Sequence, residues 1–139
     1  MYLSVAARKS VPCRLASKLN AIIRPLCNMA TYEQVKDVPN HPETYLIDVR
    51  EKEELRQTGS IPASLNIPLP ELDKALQLDS KEFKSSYGRD KPADDSKIIF
   101  SCRSGKRVLE AEKIAKAQGY SKVVIYKGSW LEWAEKEGI

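Results

Sequence analysis

The chain has 139 residues, of which 42% are hydrophobic and 30% are charged. This length is enough for one domain with an ordinary buried core. Its formal net charge of +4 is unevenly distributed: five of the 23 Lys and Arg residues precede Met29, and the other 18 share the rest of the chain with all 19 acidic residues. A near-neutral domain without a basic and aromatic stripe argues against nucleic-acid binding. The apolar runs of residues 1–28 are too short for a secretory signal or a membrane span.

Residues 1–28 have the composition of a basic leader. They contain Arg, Ser and Ala but no Asp or Glu, and the stretch between Pro12 and Pro25 can be drawn as an amphipathic helix. These are features of a mitochondrial presequence, so we expect a disordered or cleaved leader over 1–28, a domain over 29–139 and a mitochondrial location. A disordered basic tail is the alternative. A second translation start at Met29 would give a cytoplasmic form.

From Met29 onward, short apolar runs alternate with helical patterns, which predicts βαβ units and a parallel sheet. Buried strands are predicted at 45–49, 64–67, 97–101 and 123–126. Helices are predicted at 51–57, 69–76, 81–87 and 106–118, the last ended by Gly119, and a closing helix carries Trp130 and Trp133 in the core. The helix at 106–118 is expected to bury one apolar face, made of Val108, Leu109, Ala111, Ile114 and Ala115.

The domain contains a single cysteine, Cys102, because Cys13 and Cys27 both lie in the leader. It therefore cannot form an internal disulfide, which suits a reducing compartment. With one Cys and one His, His41, far apart in the sequence, the domain lacks a ligand set with zinc-site spacing. We expect no metal and no other cofactor.

Cys102 follows the predicted strand 97–101 and opens a short loop into the next helix. The loop continues through Arg103, Ser104, Gly105, Lys106 and Arg107. A helix N-terminus, three cations and a glycine able to take a positive φ favour a thiolate and an anionic substrate here. Because His41 lies in a predicted turn, activation of the sulfur is expected to be electrostatic. The alternative is a buried strand-end cysteine without a function.

Asp48 and Arg50 end the first predicted strand. Ligands of open parallel sheets bind beyond the carboxyl ends of the strands, where Cys102 also lies. We predict that both side chains support the residues of the site without contacting the substrate themselves. The alternative is that Asp48 caps the next helix or pairs with a neighbour, and Arg50 with Glu54 is one available i, i+4 pair.

Four segments together resemble the rhodanese family. They are LIDVRE at 46–51, GSIPASLNIP at 59–68, CRSGKR at 102–107 and KGSWLEW at 127–133. The resemblance spans about Thr31 to the C-terminus and is strongest to the small single-domain thiosulfate sulfurtransferases of animals and fungi, insects included. Ser60, Ala63 and Ser129 depart from the family pattern, where His, Gly and Gly are frequent. None of the three is the nucleophile.

The resemblance implies an α/β, rhodanese-like fold with a parallel central sheet of about five strands flanked by helices on both faces. It also implies a transferase that moves sulfane sulfur from thiosulfate to a thiol such as glutathione, or to cyanide, through a Cys102 persulfide. Thiosulfate is expected to contact Arg103, Ser104, Gly105, Lys106 and Arg107, with Arg107 as the principal anion ligand. We expect a monomer that binds these small molecules and neither nucleic acid nor a membrane.

Three other functions remain open on the sequence. A cysteine phosphatase resembles Cys-x5-Arg, whereas Arg107 follows Cys102 after four residues, a loop too short for a tetrahedral phosphate. Arsenate-reductase-like chemistry is the second. The third is a rhodanese-like binding module, although such modules tend to have lost the cysteine.

Overall fold

The computed structural model describes residues 29–139, so the predicted leader over 1–28 lies outside the described residues. The strands are β1 (Tyr45–Asp48), β2 (Ser64–Asn66), β3 (Lys97–Ser101) and β4 (Lys122–Ile125). The helices are α1 (Tyr32–Lys36), α2 (Lys52–Thr58), α3 (Leu69–Gln77), α4 (Ser80–Tyr87), α5 (Arg107–Ala117) and α6 (Ser129–Glu137), with a 3-10 turn at Val38–Asn40.

All strand pairs in the sheet are parallel, in the order β2-β1-β3-β4. In register, Asp48 lies beside Ser101, so the C-terminal ends of β1 and β3 meet at one edge. Within the described residues the sheet has four strands rather than about five. Next to β4, Met29 forms only an isolated parallel bridge with Ile125, and the Ala30 N–H donates to the Ile125 carbonyl at 2.7 Å.

Alternating side chains of the strands build one hydrophobic core on each face of the sheet. One face buries Ile47, Phe100 and Cys102 against α3, α4 and α5. The other buries Leu46 and Ile99 against α1 and α6. The predicted α/β architecture with helices on both faces is confirmed.

The predicted strands and helices are all present, with ends that differ by at most one residue where the prediction gave bounds. Trp130 and Trp133 are buried, as predicted. The apolar face assigned to α5 was wrong at one position, because Leu109 points outward and is 45% exposed. Helix α1, which had no counterpart among the predictions, is only five residues long and begins with a capping box between Thr31 and Gln34.

Among residues 29–139, no helix is long and apolar enough to cross a membrane.

Candidate active site

Cys102 lies at the C-terminal end of β3, and its side chain is buried at 1% exposure. The Gly105 N–H donates to Cys102 Sγ at 3.1 Å. Gly105 has a φ of +93°, and a Cβ at that position would collide with the backbone carbonyl oxygen of Lys127. The chain needs glycine here, because only a residue without Cβ permits this backbone conformation and this close approach. The prediction of a positive φ at Gly105 is therefore confirmed.

The remaining N–H groups of this loop are available to a ligand. No hydrogen bond among the described residues uses the N–H of Arg103, Ser104 or Lys106 as a donor. No side chain caps the N-terminus of α5, which follows the loop directly. Free N–H groups at the positive end of a helix dipole stabilise an anion.

The cations of the loop differ in exposure. Arg103 and Lys106 are exposed, as is Ser104, whereas Arg107 is half-buried. A further cation, Lys127, donates from Nζ to the Gly105 carbonyl at 3.5 Å. It comes from the loop after β4 and opens the segment KGSWLEW at 127–133, but Lys127 was not among the predicted site residues.

Helix α6 holds the Cys102 loop from the other side. The Trp130 N–H donates to the Cys102 carbonyl at 3.0 Å, and the Leu131 N–H donates to the Arg103 carbonyl at 3.1 Å. The first residue of α6, Ser129, accepts a hydrogen bond on Oγ from the Cys102 N–H at 3.0 Å. The N-terminus of α6 thereby fixes the backbone of Cys102 and Arg103.

Arg50 and Asp48 form a fully buried ion pair behind this loop. Arg50 is 0% exposed, and its Nη2 lies 2.8 Å from Asp48 Oδ2, with Nε 3.1 Å from both carboxylate oxygens. The other donors of the guanidinium reach Thr58 Oγ1 at 2.8 Å and the Gly59 carbonyl at 3.2 Å. Arg50 also lies over the Trp130 ring at 4.9 Å from its centroid. The pair thus connects β1 to the start of α6.

The ion pair between Arg50 and Glu54, which the i, i+4 spacing allowed, is absent. Arg50 binds Asp48 instead, and Glu54 binds Arg107 through two hydrogen bonds, of 2.7 Å to Oε2 and 2.9 Å to Oε1. This bidentate contact with Arg107 lowers the pKa of Glu54 to about 2. The pKa of Arg107 is raised, chiefly by the Glu54 hydrogen bonds and also by the nearby charges of Cys102 and Asp48.

His41 lies before β1, at the end of the sheet opposite to Cys102. Its Nε2 is 2.7 Å from Asp37 Oδ2, and both line a cavity of about 310 Å³ at the N-terminal edge of the strands. No group of three or more His, Cys, Asp and Glu within the part of the chain that the structure describes could hold a metal ion. The chemistry available beside Cys102 is that of a thiol, N–H donors and cations.

The structure brings the predicted site residues together at one edge of the sheet, with Asp48 and Arg50 behind the Cys102 loop. Sequence reasoning missed the contacts of Glu54, Asn66 and Ser129. Asn66 donates from Nδ2 to the Asp48 carbonyl at 3.0 Å and to the Arg50 carbonyl at 2.8 Å, which fixes the turn after β1. Ser129 had one signal in the sequence, because it departs from the family pattern next to a buried helix.

Comparisons with known proteins agree with this geometry. Residues 31–136 match the model of the rhodanese-like domain. The rhodanese domain-containing protein CG4456 of Drosophila melanogaster is 78% identical over 111 residues, which cover 80% of this chain and all of that protein. The human thiosulfate:glutathione sulfurtransferase is 43% identical over 93 residues, covering 66% of this chain and 80% of that protein.

A third relative is known both as a sequence and as a crystal structure. The mitochondrial thiosulfate sulfurtransferase RDL2 of Saccharomyces cerevisiae is 38% identical over 110 residues, covering 78% of this chain and 73% of that protein. Its structure, that of a single-domain sulfurtransferase, matches with a TM-score of 0.70 at 37% identity, covering 80% of this chain and 91% of that one.

The chain belongs to the rhodanese-like domain family. The enzyme class predicted from the sequence, a rhodanese-type sulfurtransferase, is confirmed.

Proposed function

We propose that the protein transfers the sulfane sulfur of thiosulfate to a low-molecular-weight thiol, with Cys102 as the nucleophile. The observation that carries this proposal is the Cys102 sulfur at the start of α5, where it accepts the Gly105 N–H within a loop of unused N–H donors. The thiolate attacks the outer sulfur of thiosulfate, the sulfur–sulfur bond of the donor breaks, and sulfite leaves with the electron pair. A persulfide anion remains on Cys102.

Thiosulfate binding is assigned to the outer side of the loop. Arg103, Ser104 and Lys106 are exposed and have unused N–H groups, so they can meet the dianion without losing an existing contact. Gly105 contributes the N–H that holds the sulfur. Arg107 was predicted as the principal anion ligand, but two of its donors are engaged by Glu54. We therefore assign Arg107 to the sulfur of Cys102 rather than to thiosulfate, since the charge of Cys102 is among the causes that raise the pKa of Arg107.

The second half-reaction regenerates the thiolate. An acceptor thiolate attacks the outer sulfur of the Cys102 persulfide, and the bond between the two persulfide sulfurs breaks with its electrons returning to Cys102. Glutathione is the proposed acceptor, supported by the name of the human relative. Cyanide can take the same sulfur. We propose that a monomer performs both half-reactions, since the nucleophile, the N–H donors and the cations of the loop all come from residues 102–107.

The intact mass of the full chain after incubation with thiosulfate tests this proposal. The wild type should gain one sulfur atom and lose it when glutathione is added. The matched control is Cys102→Ser, which leaves Cys13 and Cys27 in place and should gain nothing. An equal gain on the Cys102→Ser variant would assign the sulfur to another cysteine and refute the assignment. Hydrolysis of a phosphate ester without a sulfur adduct would instead indicate a phosphatase.

We further propose a mitochondrial location directed by residues 1–28, with a domain over 29–139 and a cytoplasmic form when translation starts at Met29. The acid-free composition of residues 1–28 and the mitochondrial yeast relative RDL2 support this location. A fusion of residues 1–28 to a fluorescent reporter should enter mitochondria, and a diffuse cytosolic signal would refute the proposal. Replacement of Met29 by Leu in the full chain should remove the shorter form from cell extracts.

A further inference from the structure

We infer that Ser129 is a positioning residue for sulfur transfer, whose hydroxyl stabilises the negatively charged sulfur of Cys102. Ser129 is 0% exposed and is the first residue of α6, 27 residues after the nucleophile in the sequence. Its Oγ is 3.7 Å from Cys102 Sγ. The inference rests on the proposed role of Cys102 and adds a second donor to the sulfur beside Gly105.

The backbone at Ser129 is unusual for a residue that carries a side chain. Its φ is +52°, in the left-handed region that glycine adopts freely and other residues adopt at a cost. A glycine at this position would remove the conformational strain. The side chain on this strained backbone is fully buried, and its hydroxyl is directed at the nucleophile. This indicates that the hydroxyl makes a contact with Cys102 that glycine cannot make.

The hydrogen bonds around Ser129 allow its hydroxyl hydrogen to change partner. In the structure, Oγ accepts the Cys102 N–H at 3.0 Å and donates to the Tyr126 carbonyl at 2.8 Å. The Ser129 N–H also donates to this carbonyl, at 3.1 Å. If the hydroxyl hydrogen turns toward Cys102 Sγ, the Tyr126 carbonyl keeps the N–H as a donor. The change therefore leaves no buried group without a hydrogen bond.

The charge on the sulfur decides which partner the hydroxyl prefers. A neutral thiol is a weak acceptor, so the Tyr126 carbonyl is the better partner. In the thiolate the negative charge lies on Cys102 Sγ itself, and a hydrogen bond to a charged acceptor is roughly twice as strong as a neutral one. The hydroxyl would thus turn to Sγ in the thiolate and away from it in the thiol.

Other charges near Cys102 do not depend on Ser129. They are the pair of Arg107 with Glu54, the pair of Arg50 with Asp48, the exposed Arg103 and Lys106, and Lys127 at the Gly105 carbonyl. Substitution of Ser129 leaves each of these charged groups in place, although Ser129→Gly and Ser129→Ala both also remove the acceptor of the Cys102 N–H. A change in the reactivity of the sulfur after such a substitution can therefore be assigned to the hydroxyl or to the backbone of residue 129.

Two substitutions separate these causes. Ser129→Gly removes the hydroxyl and the backbone strain, whereas Ser129→Ala removes the hydroxyl and keeps the strain. The readout is the rate at which iodoacetamide alkylates Cys102 between pH 5 and 10, followed by intact mass in full-length protein carrying Cys13→Ser and Cys27→Ser. In both variants we expect the midpoint of the pH–rate profile to rise by about one pH unit, a tenfold loss of thiolate at low pH.

A structural role alone would change the urea midpoint of unfolding and leave the pH–rate profile unmoved. Unchanged profiles in both variants would overturn the inference, as would a shift in only one of them, because the backbone and not the hydroxyl would then be the cause. If Ser129→Ala does not fold, Ser129→Gly still decides between a shifted and an unshifted profile. Absence of a sulfur adduct on the wild type would refute the proposed function, whereas the alkylation profile would still test Ser129.

Discussion

The buried pair of Arg50 and Asp48 gives the most decisive test of how this site is supported. We consider the substitution Arg50→Met, which keeps much of the side-chain volume and removes the charge. Asp48 is 1% exposed, so its carboxylate would remain buried without its cationic partner. The two oxygens would lose three hydrogen bonds from the guanidinium and keep the one from the Arg50 N–H at 2.9 Å.

The expected cost follows from burial. Removal of one partner from a buried ion pair typically costs about 3–5 kcal/mol, because the remaining charge stays desolvated. The lost contact with the Trp130 ring adds up to about 2 kcal/mol. Since small domains unfold at about 5–15 kcal/mol, Arg50→Met should leave the domain close to unfolding. The double variant Asp48→Asn with Arg50→Met should recover much of the loss, since no unpaired charge remains.

The chain provides a matched control in Arg56. This arginine also forms an ion pair, with Glu53 at 2.8 Å, but the two side chains are 74% and 64% exposed. Arg56→Met should therefore cost less than about 1 kcal/mol. Urea denaturation followed by far-UV circular dichroism at pH 7 would give both free energies of unfolding. A cost for Arg50→Met as small as that for Arg56→Met would refute the argument that burial makes this pair decisive.

Three other predictions concern the loop and its charges. Gly105→Ala should reduce persulfide formation by about 100-fold or more, because the Gly105 N–H must move away from the sulfur. Gly119→Ala is the control: it has a similar φ of +97° with open space around it, so only stability should fall. Glu54→Gln should cost about 1–2 kcal/mol at pH 7 after solvent screening. The folded-state pKa of Glu54 is lowered to about 2. The difference in free energy of unfolding between wild type and variant, measured by urea denaturation, should therefore disappear as the pH falls from about 4.5 toward 2. Arg103→Gln with Lys106→Gln should raise the KM for thiosulfate, and an unchanged KM would contradict the assigned role of the outer loop.

The fold could be predicted from the sequence where local pattern and burial agree. The strands β1 and β3 are continuous apolar runs because parallel strands are buried on both faces. Gly119 follows the C-cap of α5 with a φ of +97°, as its position after a helical pattern indicated. Helix α1 could not be recognised because five residues contain too little periodicity, and its capping box was the only local signal.

The loop that carries the nucleophile could be predicted from the sequence, whereas the side-chain partners of its residues could not. Cys102, Gly105 and the helix that follows are consecutive in the chain, so their mutual arrangement follows from one loop. The partner of Arg107 is 53 residues away in sequence, and no local spacing selects it. Local spacing even suggested the wrong pair, Arg50 with Glu54. The parallel register instead buries the end of β1, where Asp48 lies nearest to the Arg50 guanidinium.

The pairing of the two inner arginines has a consequence for catalysis. Asp48 offsets the charge of Arg50 and Glu54 offsets that of Arg107, so the excess positive charge lies on the exposed Arg103, Lys106 and Lys127. Thiosulfate arrives as a dianion, and sulfite leaves as one. Unpaired arginines behind the sulfur would bind both anions strongly and slow the release of sulfite, since uniform binding of substrate and product does not accelerate the chemical step. We propose that the paired arginines hold the loop in place, while the Gly105 N–H stabilises the negative charge on the sulfur.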